Sequence, residues 1–153
     1  MNRPRLVPAL VALLALAGCD GAVNETHSGT LTEDDEKRPE DDSYFDTYTF
    51  RTQEGYALNV EMSSTDFDTY LMVVGPSGQE IGQNDDIVPG QNTNSRVTGE
   101  APESGTYTVF ANSYEAGQTG AYQLSIQATE PGAAPAEAPA EAPAEGSGET
   151  PSE

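Results

Sequence analysis

Five oxygen-bearing side chains stand in two short clusters in the middle of the chain: Asp66 and Asp68, then Asn84, Asp85 and Asp86. Asp66 and Asp68 are two residues apart, so on a strand they share a face. Calcium takes six to eight oxygen ligands from carboxylates, amide oxygens and backbone carbonyls. Strand pairing that joined the two clusters would supply such a set. The expectation is one Ca²⁺ site built on Asp68, Asp85 and Asp86, with Asp66 and Asn84 as further ligands. The spacing is not that of an EF-hand loop. The alternative is that these side chains cap their own turns through backbone hydrogen bonds.

Other chemistry finds little support. The chain has one His, His27, and one Cys, Cys19. A His-based triad would have to use His27, which sits among Thr26, Ser28 and Gly29 and reads as a solvated linker residue. There is no G-x-S-x-G elbow, no H-E-x-x-H and no G-x-x-x-x-G-K loop. Asp-Thr occurs in the two echoing stretches Phe45-Asp46-Thr47-Tyr48 and Phe67-Asp68-Thr69-Tyr70. An aspartic protease needs Gly next, and Tyr follows both times, so the echo reads as shared strand composition. The expectation is a protein that is not an enzyme. Seven Tyr are many for this length; exposed on one face they would stack on sugars or grip a protein. Tyr114, in a loop-like context, is the best surface candidate.

Charge narrows the partners. The 153 residues carry 26 acidic and 6 basic side chains, a formal charge of -20. No basic stripe is available to neutralise phosphates, which excludes nucleic acid. With one Cys, an intrachain disulfide and a multi-Cys zinc site are excluded.

The N-terminus reads as an address. Arg3 and Arg5 precede the apolar run Leu6 to Ala17, broken only by Pro8 and too short to span a bilayer. It ends in Leu16-Ala17-Gly18-Cys19, which resembles the lipobox of bacterial lipoproteins. That resemblance implies cleavage before Cys19, a diacylglycerol on its thiol and a fatty acyl chain such as palmitate on its amine. Two or more chains give stable membrane anchoring. Asp20 resembles the signal that retains enteric lipoproteins at the inner membrane, so the periplasmic face of that membrane is favoured over the outer membrane or the surface.

The expected organisation has four parts: a signal peptide at 1–18, the lipidated Cys and an acidic linker at 19–42, a folded domain at 43–130 and a disordered tail at 131–153. The linker contains Glu33-Asp34-Asp35-Glu36 and Glu40-Asp41-Asp42, like-charge blocks that repel and extend. In the tail Pro135, Pro139 and Pro143 recur every four residues, as do Glu137, Glu141 and Glu145. The prolines forbid a helix and favour extended polyproline II.

The folded part reads as all-β. Tyr56, Leu58, Val60 and Met62 alternate with Ala57, Asn59 and Glu61, as a half-buried strand does. The same alternation marks Tyr107 to Ala111 and Tyr122 to Ile126, and Tyr44 to Arg51 has strand composition. The continuous run Tyr70 to Val74 suits a central strand covered on both faces. Gly55, Pro76-Gly78, Pro89-Gly90 and Pro102-Gly105 punctuate these strands. The expected fold is a jelly-roll-like antiparallel β-sandwich.

Seven motifs in order resemble the bacterial pre-peptidase C-terminal domain: Gly55-Tyr56-x-Leu58-x-Val60, Phe67-Asp68-Thr69-Tyr70-Leu71, Gly75-Pro76-Ser77-Gly78, Asn84-Asp85-Asp86, Asn94-Ser95-Arg96-Val97, Ser104-Gly105-Thr106-Tyr107 and Gly120-Ala121-Tyr122-x-Leu124. The resemblance covers about residues 43–128 and implies a jelly-roll-like sandwich. Domains of this family usually follow secreted peptidases, and related ones bind collagen with calcium. Here the motifs follow a lipobox, so neither role carries over. The expected function is a lipid-anchored extracytoplasmic accessory module that contacts an envelope protein or polymer. The alternatives are a carbohydrate-binding module and a structural spacer lipoprotein.

Overall fold

The computed structural model describes residues 21–89 and 91–132. The expected signal peptide, Cys19, Asp20 and most of the expected tail lie outside the described residues. Among the described residues, nine strands form two antiparallel sheets: β1 (Val23–Leu31), β2 (Glu36–Lys37), β3 (Tyr44–Thr52), β4 (Ala57–Ser63), β5 (Thr69–Val74), β6 (Glu80–Asn84), β7 (Ser95–Glu100), β8 (Gly105–Ser113) and β9 (Gly120–Thr129). One sheet has the order β1-β9-β4-β7 and the other β2-β3-β8-β5-β6. There is no helix among the described residues.

The core is the inward half of each alternating strand. Leu58, Val60 and Met62 from β4 and Tyr122, Leu124 and Ile126 from β9 meet Leu71 and Val73 from β5 and Tyr107, Val109 and Ala111 from β8. These side chains are almost fully buried. Phe50 stacks on Tyr107 with ring centroids 5.4 Å apart, and Phe67 meets Tyr122 edge-on. Each fully buried large apolar side chain contributes roughly 1.5–3 kcal/mol, which is how a domain without a disulfide holds together.

Two expectations need correction. The acidic linker does not extend to residue 42, because Val23–Leu31 is a strand paired with β9 along its whole length and Glu36–Lys37 pairs with β3. The domain therefore starts about twenty residues before the expected boundary at 43. His27 is accordingly a strand residue: its ring lies 4.9 Å from that of Tyr48 and its Nε2 is 3.1 Å from Glu25 Oε2. The strand Tyr70 to Val74 is also not covered on both faces. Thr69, Leu71 and Val73 are buried while Tyr70, Met72 and Val74 stay half-exposed on the outer face.

The antiparallel order gives the sandwich two distinct ends. Gly21, the β3–β4 turn, the β5–β6 turn, the β7–β8 turn and Pro131 lie at one end; a side chain on Gly21 would meet Gln53 and Tyr56, and one on Gly55 would meet Pro131. The β1–β3, β4–β5, β6–β7 and β8–β9 connections lie at the other, about 30 Å away for strands of nine residues.

Candidate functional site

The distal end gathers the acidic loops. The runs 33–36 and 40–42 belong to it, with Asp66, Asp68, Asp85, Asp86 and Glu115. The two large hydrophobic side chains exposed among the described residues, Val88 at 39% and Tyr114 at 50%, lie there too. Tyr114 is held by its N–H, which donates to the Asp68 carbonyl at 2.8 Å. The β6–β7 loop is tied down by the Ile87 N–H on the Asn94 carbonyl at 2.7 Å and by the Ser95 hydroxyl on the Asp85 carbonyl at 2.7 Å.

The five candidate calcium ligands divide between two roles. Asp66 packs against Gly120, and its Oδ2 accepts the Ala121 N–H at 2.8 Å, so it clamps the β4–β5 loop onto β9. Asn84 Oδ1 accepts the Arg96 N–H at 2.9 Å and its amide donates to the Asp86 carbonyl at 3.0 Å. Asp85 Oδ1 accepts the Asp86 N–H at 2.8 Å. These are the turn-capping contacts of the alternative reading. Asp68 differs: its Oδ1 is buried without a hydrogen-bond partner. Burial pushes its carboxyl above the usual Asp range, and the charges of Asp86, Asp85 and Glu115 push the same way. Among the described residues, no group of three His, Cys, Asp or Glu side chains stands arranged to hold one metal ion.

A second polar constellation, which sequence reasoning missed, lies between the sheets near β1. Tyr122 donates from its hydroxyl to Asp46 Oδ2 at 2.6 Å, and its oxygen lies 2.7 Å from that of Tyr48. Burial raises the pKa of Asp46, which the Tyr122 bond partly offsets and the charge of Asp35 reinforces. Burial likewise holds both Tyr hydroxyls neutral, far above the ordinary Tyr value in the case of Tyr122. Such a network links the two sheets. The sequence signal was Asp46 at an inward position of an alternating strand.

The outer faces of the sheets differ in chemistry. On β1-β9-β4-β7 polar pairs cross the strands: Ser28 with Gln123, Asn59 with Gln127 and Arg96 with Glu61. On the five-stranded sheet the outward residues include Phe45, Tyr70, Met72, Val74 and Phe110, all half-exposed. Phe45 and Phe110 meet edge-on at 5.7 Å, Tyr70 bonds to Gln83, and the Arg38 guanidinium lies 5.1 Å over the Tyr70 ring.

The family profile described as the bacterial pre-peptidase C-terminal domain matches residues 44–113, from the start of β3 to the end of β8. The chain is similar in fold to the pre-peptidase C-terminal domain of a collagenase from Bacillus anthracis, with TM-score 0.50 and 17% identity over 68% of this chain and 89% of that one. It is equally similar to PliG of Aeromonas hydrophila, a periplasmic inhibitor of g-type lysozyme, with TM-score 0.50 and 17% identity over 76% of this chain and 93% of that one. No curated protein matches the chain in sequence. The fold is thus a pre-peptidase-C-terminal-like sandwich, extended by β1 and β2 before the matched segment and β9 after it.

Proposed function

We propose that this protein is a non-enzymatic, lipid-anchored module on the extracytoplasmic side of the bacterial membrane, and that its distal loop end meets an envelope protein. The polarity of the sandwich carries this reading. Cys19 stands two residues before Gly21, so a lipid there would hold the Gly21 and Pro131 end at the bilayer. The acidic loops with Tyr114 and Val88 then point outward. Exposed apolar side chains ringed by polar loops are the anatomy of a contact surface. The excess of carboxylates there suits a basic partner surface. The similarity in fold to a lysozyme inhibitor supports a protein as partner.

The test has two arms. Metabolic labelling with an alkyne fatty acid should mark the wild-type chain and leave Cys19→Ser unlabelled. A photo-crosslinker at Tyr114 or Val88 in living cells should yield a discrete adduct, and one at Thr26, on the outer face of β1, should not. Equal adducts from both faces, or none from the loops, would overturn the distal-end reading. An adduct with glycan would favour the carbohydrate-binding alternative. Absence of any adduct together with intact labelling would favour the spacer.

We further propose that calcium stabilises the distal end by drawing together Asp68, Asp85 and Asp86, hard oxygen donors of the kind calcium selects that do not stand around one point without the ion. The partnerless Oδ1 of Asp68 favours this reading. Asp66 and Asn84 are committed to backbone contacts in this reading, and Asp85, whose Oδ1 caps the Asp86 N–H, would offer its Oδ2 to the ion.

A further inference from the structure

We propose that the Gly21 end of the sandwich is a lipid-contact surface, seated directly on the headgroup layer and suited to zwitterionic rather than anionic phospholipid. The inference rests on lipidation of Cys19. Its first support is the length of the leash. The fold holds the chain from Gly21 onward: the Thr52 hydroxyl donates to the Gly21 carbonyl at 2.6 Å, and a side chain on Gly21 would strike Gln53 and the Tyr56 ring. Only Asp20 stands between that fixed point and Cys19. Two residue steps span at most about 7 Å. The headgroup layer is itself roughly 5–8 Å deep on each side of the hydrocarbon. A lipid on Cys19 therefore leaves no room for a layer of bulk water between this end and the bilayer.

The exit point also sets the posture. Thr52 ends β3 of the five-stranded sheet and Tyr56 leads into β4 of the four-stranded one, so the leash leaves between the two sheets and not from an outer face. The strands then stand along the membrane normal, and the distal loops rise about 30 Å above the headgroups. Charge decides the lipid. This end carries Glu54, Glu80, Glu100, Glu103 and Glu130 against one basic residue among the described ones, Arg51. Glu103 is taken up by the Ser77 N–H at 2.9 Å, and the other four Glu are exposed. An anionic leaflet holds its negative potential within a Debye length of the surface, which is where the leash keeps these carboxylates. A zwitterionic headgroup instead offers an ammonium to them and a phosphate to Arg51.

The chain has no Trp, so Ser77→Trp, in the β5–β6 turn, reports on this end alone and Tyr114→Trp on the distal end. Each mature lipidated chain is reconstituted in phosphatidylcholine vesicles containing a lipid with a nitroxide on its headgroup. Ser77→Trp should lose more than half its emission and Tyr114→Trp almost none. Replacing half of the phosphatidylcholine by phosphatidylglycerol should weaken the quenching of Ser77→Trp about twofold at low salt, and added salt should restore it. Adding Glu54→Gln, Glu80→Gln, Glu100→Gln and Glu130→Gln, with a cooperative melt to confirm folding, should abolish that difference. A chain ended after Gly132, which drops the Glu of the tail, should keep it. Equal quenching of both probes lays the domain on its side and overturns the proposal. So does an unquenched Ser77→Trp on vesicles that retain the protein, or quenching indifferent to lipid charge. Loss of the difference on removing the tail assigns it to the tail and also overturns it. A chain that does not float with the vesicles fails at Cys19 and brings the lipid-anchor reading down with it.

Discussion

Gly29 and Tyr122 face each other across the β1–β9 ladder, and the phenol ring of Tyr122 lies in the space that a side chain at 29 would fill. A Cβ there would overlap the ring itself. The ring cannot swing aside freely, since its hydroxyl is tied to Asp46 and Tyr48. Gly29→Ala should therefore destabilise the domain by about 1–3 kcal/mol, the usual range for overpacking. A thermal melt should fall by at least about 4 °C. Hydrogen exchange should show the loss concentrated in β1, which is an edge strand paired only with β9 among the described residues.

Removing the hydroxyl of Tyr122 should be felt more widely. Tyr122→Phe leaves the buried Asp46 carboxylate without its donor and Tyr48 without its neighbour. Leaving such a group unsatisfied costs about 1–3 kcal/mol. Tyr48→Phe keeps the Tyr122–Asp46 bond and should cost less than half as much. Equal losses in urea titrations of the two variants would mean that the Asp46 bond is not what links the sheets.

Asp46 also sets a pH dependence. Burial raises its pKa in the folded protein, so the native state holds this proton at higher pH than the unfolded chain does. Its contribution is then fully present below the ordinary Asp range and is lost as pH rises through the raised value. Asp46→Asn keeps an oxygen to accept the Tyr122 hydroxyl and removes the charge. The variant should melt higher than wild type at pH 7, with the gap closing below about pH 4. A gap that widened on acidification would reverse the assignment.

How much of this was legible follows from which positions face inward. β3, β4, β8 and β9 place aromatic or aliphatic side chains at most inward positions, so alternation betrays them. β1 turns Val23, Glu25, His27, Gly29 and Leu31 to that side, two aliphatics in five, because the ring of Tyr122 supplies the bulk that Gly29 does not. β6 and β7 hide for a related reason. A Cβ on Gly82 would come within 3.0 Å of Val97, and one on Gly99 would touch Ile81, so close approach takes the place of large side chains. The twin Phe-Asp-Thr-Tyr stretches teach the converse. Asp46 lies opposite Ala111 and faces the interior, while Asp68 precedes the inward Thr69 and turns the other way. Identical local sequence has opposite roles because the register on β8 differs. The acidic site was legible as a cluster but not as a ligand set, since backbone contacts that commit Asp66 and Asn84 leave no trace in residue spacing.

Calcium separates those roles by experiment. In millimolar calcium the mature chain with Cys19→Ser should melt above its value in EDTA, with magnesium giving little. A site with dissociation constant near 1 mM, common for extracellular calcium modules, contributes about 1 kcal/mol at 5 mM calcium, or roughly 4 °C for a domain of this size. Asp68→Asn and the pair Asp85→Asn, Asp86→Asn should each abolish the shift. Asp66→Asn should lower the melting temperature in both conditions, because the clamp on Ala121 weakens, yet keep the calcium difference. Loss of the difference in Asp66→Asn alone would restore the five-residue set, and no difference in the wild type would leave all five as turn and loop caps.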